Sequence, residues 1–123
     1  MDPKPDLETA CLEAIRHWHT LPQLAEFATQ RHGYSGGEGV FGLECPSDLD
    51  EYDRVTRGQF IPPGYLRIYG WWWPQHGEGY EVFVPETFYL RVLARVLTEE
   101  GHATEAQQVQ QLLAAAARIE ETT

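Results

Sequence analysis

The chain has 123 residues, a length suited to one domain, and 9 Lys+Arg against 19 Asp+Glu give it a net charge of −10. An excess of that sign repels phosphate backbones and anionic lipid head groups, so nucleic acid and membrane surfaces drop out as expected partners. The hydrophobic share, 42%, is that of a chain that folds around a core rather than a disordered acidic tail.

Leu7, Ala10, Cys11, Ala14, Ile15 and Trp18 recur at helical spacing, which predicts a first helix over about 6–19 with Asp6 as its cap. Thr20-Leu21-Pro22-Gln23 starts a second, with Thr20 at the N-cap and Gln23 at the capping-box position; Gly33 offers its stop. A helical hairpin results. Glycines and prolines then loosen the pattern from Tyr34 to Gly64, where Val40–Glu44 suits a short strand and Ser47 to Gly58 a short capped helix. Tyr65–Trp73 and Gly79–Val84 read as a β-hairpin around Pro74-Gln75-His76-Gly77-Glu78. Pro85 ends the second strand. Phe88, Tyr89, Val92, Leu93, Val96 and Leu97 then mark a helix up to Gly101, and Ala103 to about Glu120 carries a last one. The expected fold is α+β in one domain, 1–123: a helical hairpin, a small antiparallel sheet containing a Trp-rich hairpin, and two C-terminal helices.

Candidate catalytic groups are sparse. His17 and His19 point to nearly opposite sides of a helix and do not share a metal, while His32 and His102 sit beside helix-terminal glycines, where a dipole role suffices. Cys11 falls on the buried stripe of the first helix; Cys45, before Pro46, is expected to be more exposed, with Glu44 and Asp48 suppressing its thiolate. Neither serine stands in a nucleophile elbow. The glycine-rich run from Tyr34 to Gly39 lacks the Gly-Lys-Ser/Thr of a phosphate loop, and Tyr52 and Asp53 break the spacing of a calcium loop begun by Asp48 and Asp50. No catalytic set, cofactor or metal is expected. The two cysteines lack CxxC spacing and the first residues lack a signal peptide's order, which points to reduced thiols in cytoplasm.

The distinctive segment is Tyr65-Leu66-Arg67-Ile68-Tyr69-Gly70-Trp71-Trp72-Trp73. Alternation places Tyr65, Arg67, Tyr69, Trp71 and Trp73 on one face and Leu66, Ile68 and Trp72 on the other, so neither face is polar. With four helices available, the simpler expectation is a strand covered on both sides. The competing one leaves the Tyr/Arg/Trp face open, and these residue types are enriched at binding hot spots. Asp48, Asp50, Glu51 and Asp53 precede this strand and could form an acidic rim; His76 sits in the hairpin turn.

A small acidic α+β chain with the compact aromatic stretch Gly64–Trp73 resembles the immunity proteins that bacteria encode beside secreted toxins. The likeness is one of size, charge and organisation, with no motif from which residue roles carry over. It implies a module that binds a cognate basic toxin or enzyme and neutralises it, with acidic charge steering the encounter. On this reading the partner-binding residues are Asp48, Asp50, Glu51 and Asp53 as rim, and Arg67, Tyr69, Trp71, Trp73 and His76 on or beside the strand. Two alternatives stand: a structural or adaptor protein that homo-oligomerises, as a dimer for example, through Ala114–Ala117 or the aromatic face, and a small-molecule binder or enzyme that uses that face.

Overall fold

The fold is seen in a computed structural model that describes residues 6–16, 18, 20–30, 32–36, 41–46, 58, 61–62, 64–71 and 79–122. The elements run α1 (Leu7–Arg16), α2 (Leu21–Gln30), β1 (Tyr34–Gly36), β2 (Phe41–Glu44), β3 (Tyr65–Trp71), β4 (Gly79–Pro85), α3 (Glu86–Glu99) and α4 (Ala103–Thr122). The architecture is α+β, with two helices before a four-stranded antiparallel sheet of order β1-β2-β3-β4 and two helices after it. Of the tryptophan run, Trp71 closes β3 opposite Gly79, and Trp72 and Trp73 lie outside the described residues. So does the short helix expected from Ser47, apart from Gly58.

Local chemistry sets the helix ends. Asp6 caps α1 by accepting the Thr9 N–H at 2.7 Å, and that bond holds its carboxyl below the usual range. The helix stops at Arg16 instead of reaching residue 19, because Trp18 leaves the stripe: its N–H turns back to the Ile15 carbonyl and its indole N–H donates to Gln23 Oε1 at 3.0 Å. Gln23 is therefore engaged by the indole and not in the capping box its position suggests. At the far end of α2 the His32 N–H closes on the Phe27 carbonyl, one residue before the expected glycine stop. Gly101 ends α3 as expected. Its φ of +86° allows the Gly101 N–H to reach the Thr98 carbonyl and the His102 N–H to reach that of Leu97, the paired bonds of a Schellman turn.

One hydrophobic cluster draws on every element. Eight of the fourteen residues of α3 are buried, which makes it the central helix; α4 packs along it, α1 contacts it and the sheet, and α2 bridges to α4. Leu66 and Ile68 of β3 enter the core beside Leu43 of β2 and Val84 of β4. Cys11 packs there as a small apolar residue, and burial pushes its thiol up to about 12. Cys45, expected to be more exposed, is also buried, and the two cysteines do not form a disulfide.

The glycine-rich stretch after α2 contains a strand that sequence patterning does not reveal. Tyr34 pairs with Leu43 across β1 and β2, and its hydroxyl donates to the Ala14 carbonyl at 3.2 Å. Ala14 lies in the last turn of α1, where carbonyls lack helical partners. The Tyr89 hydroxyl of α3 is 3.2 Å from that of Tyr34. Since a carbonyl only accepts, the proton order is Tyr89 to Tyr34 to Ala14, a buried chain that ties α3 and β1 to α1. The Tyr34 ring also meets Trp18 edge-on and stacks on Phe27, both with centroids less than 6 Å away.

Candidate functional site

Strand alternation and the register of β3 with β4 divide the sheet into two unlike faces. Leu66 stands opposite Val84, and Ile68 opposite Val82, on the side buried under the helices. The other side carries Tyr65, Arg67 and Tyr69 of β3 with Glu81 and Phe83 of β4, and Tyr65 and Phe83 are each 40% exposed. Among the described residues no helix covers that side, so the expectation of helices on both faces is not met there: α4 packs mainly on α3 and α2, and the core reaches the sheet from one side.

At the centre of the open face, Arg67 is held from three directions. Its Nε donates to Glu81 Oε2 at 2.5 Å, one Nη bonds Glu44 Oε1, and the guanidinium lies 4.7 Å from the centroid of the Tyr69 ring. Glu44 is the direct cross-strand neighbour of Arg67 on β2, and Glu81 is its diagonal neighbour on β4. One side chain thereby ties three strands together. The group remains partly solvated, with 25% of the Arg67 side chain exposed, so each ion pair contributes about 0.2–1 kcal/mol and the cation–π contact about as much. The larger effect is geometric, because a guanidinium fixed in this way loses little freedom when something docks beside it. Two carboxylates around one guanidinium also leave the cluster with a net charge of −1.

Gly42 sets the position of Tyr69. The two are cross-strand partners, and a Cβ at Gly42 would run into the phenol ring, so the glycine allows the ring to lie against the β2 backbone beside Arg67.

Of the residues expected to bind a partner, Arg67 and Tyr69 lie side by side on the open face, and Trp71 belongs to the same strand two residues on. Asp48, Asp50, Glu51, Asp53, Trp73 and His76 lie outside the described residues. Sequence reasoning counted Arg67 among the partner-binding residues; it is engaged with Glu44 and Glu81 and acts as a clamp within the face. It missed Phe83 and Glu81. Glu81 between Tyr80 and Val82 was the available signal, since a carboxylate marks the outward phase of β4 and Phe83 shares that phase.

Among the described residues no group of three or more His, Cys, Asp or Glu is placed to hold a metal, and no helix is long and apolar enough to cross a membrane. No protein family, curated protein or solved structure matches the chain.

Proposed function

We propose that this protein is a non-catalytic binding module that docks the open face of its sheet on a cognate protein, in the manner of a bacterial immunity or inhibitor protein neutralising a basic toxin or enzyme in the cytoplasm. The observation that carries this reading is the one-sided burial of the sheet, which leaves Tyr65 and Phe83 exposed around a fixed Arg67 clamp. Aromatic rings on a preorganised strand surface offer large contact area at low entropic cost. The negative clamp and the chain's −10 charge favour a basic partner. A non-catalytic role is supported by the thiols: both are buried, and the Cys11 thiol is shifted away from the reactive thiolate.

The double variant Tyr65→Ser/Phe83→Ser tests the face. Tagged wild-type chain in its native host should retain a basic protein that the double variant loses, with the variant's circular dichroism unchanged. Equal retention by both forms overturns the docking face. Light scattering on the purified chain addresses the rival: a stable dimer that the same substitutions dissolve would assign the face to a second copy.

A further inference from the structure

A separate site lies on the helical side of the sheet. A cavity of about 220 Å³ opens between α2, the β1 and β2 strands, the start of β3 and the first turns of α3. Phe27, Tyr34 and Tyr89 provide aromatic walls, Leu43, Leu66 and Leu90 aliphatic ones, and Cys45 adds a thiol; Arg67 and Tyr69 of the open face are not in its lining. We infer that this cavity is a binding site for a small uncharged aromatic molecule bearing one hydrogen-bond donor.

Volume sets the ligand's size. A dry apolar cavity of about 150 Å³ accepts benzene, so this one suits roughly nine non-hydrogen atoms, a fused bicyclic ring. Composition sets its charge. No Lys or Arg is among the described lining residues, His32 there is exposed to solvent and Glu86 is a carboxylate, so an anion in the buried part of the cavity would be desolvated without a fixed countercharge. The proton order through Tyr89, Tyr34 and Ala14 sets the polarity of a hydrogen bond to either phenol. Both phenol protons are already directed at acceptors within the protein, so a ligand bonded to a phenol oxygen must itself be the donor. An indole-type N–H on a bicyclic ring meets all three conditions.

Indole is the probe, with indole-3-carboxylate as its anionic counterpart, titrated into the full ¹⁵N-labelled chain. Indole should shift the amides of Leu43, Leu66 and Leu90 while leaving that of Phe83 unmoved, and the carboxylate should bind about tenfold more weakly or worse. Ala28→Leu, which builds side chain into the cavity wall, should weaken indole by about tenfold or more. The titration of the unmodified chain guards against a variant that does not fold. The site is overturned if the folded wild-type chain shows no shifts up to the solubility limit of indole. It is also overturned if the carboxylate binds equally well or if a folded Ala28→Leu variant binds indole undiminished.

Discussion

Tyr34 shows how much one side chain can decide. Its hydroxyl supplies the donor that the Ala14 carbonyl lacks at the end of α1 and accepts the proton of Tyr89, all within the core. Tyr34→Phe therefore strands two buried groups, a carbonyl and a phenol, and should cost about 1–3 kcal/mol in urea unfolding. Tyr89→Phe leaves the bond from Tyr34 to Ala14 intact and should cost less, about 0.5–1.5 kcal/mol. The reverse ranking would mean that the proton order runs the other way. Burial raises the pKa of both phenols and of the Cys11 thiol, and for Tyr89 the neighbouring Tyr34 adds to the effect. The unfolded chain ionises these groups first, so above their ordinary values it holds fewer protons than the native state and stability falls as pH rises. The urea midpoint should start to drop above about pH 9, where the unfolded thiol ionises, and fall more steeply above about pH 10 as the phenols follow. A midpoint flat from pH 8 to pH 11 would contradict the burial of these groups.

At the scale of elements, the β2–β3–β4 surface depends on a close approach between strands. Gly42→Ala forces the Tyr69 ring off the β2 backbone and away from the Arg67 guanidinium, while the ring, on the open side, has room to turn. The expected loss of stability is therefore modest, about 1 kcal/mol, but the near-ultraviolet circular dichroism of Tyr69 should change and partner affinity should fall. An unaltered spectrum would show that the ring does not rest on Gly42. Helix ends and strand phases were legible at this scale because they are written in neighbouring residues. Asp6 and Gly101 take their expected roles, and β3 alternates as Leu66 and Ile68 inward against Tyr65 and Arg67 outward. β1 was not legible. Three residues are too few to display a period, and Tyr34-Ser35-Gly36 is held by pairing with β2 and by a hydroxyl bond to a helix twenty residues earlier.

For the molecule as a whole, charge and shape make separate contributions to binding. A chain of −10 that meets a basic partner through a negative, partly aromatic face should associate faster at low ionic strength. Raising salt from about 0.05 M to about 0.5 M should slow association by about tenfold or more while dissociation changes little. A salt-independent association rate would remove electrostatic steering and leave the exposed aromatic rings as the basis of recognition.

The order of the four helices and of β2 to β4, the apolar stripes of the helices, the α+β class and the two-sided character of β3 follow from the sequence alone, because periodicity, capping and turn chemistry act over a few residues. Which face of β3 stays open did not follow, since four helices can be counted in a sequence without revealing that α4 lies on α3 and α2 instead of on the sheet. Hairpin register likewise required the folded chain, and it is register that turns Val82 and Val84 inward and sets Glu81 and Phe83 beside Arg67. The Arg67 clamp and the Tyr89–Tyr34–Ala14 chain join residues as far apart as 14 positions, from Arg67 to Glu81, and 75, from Ala14 to Tyr89. Only packing brings such residues together, because their interactions become favourable after the long loops between them have closed.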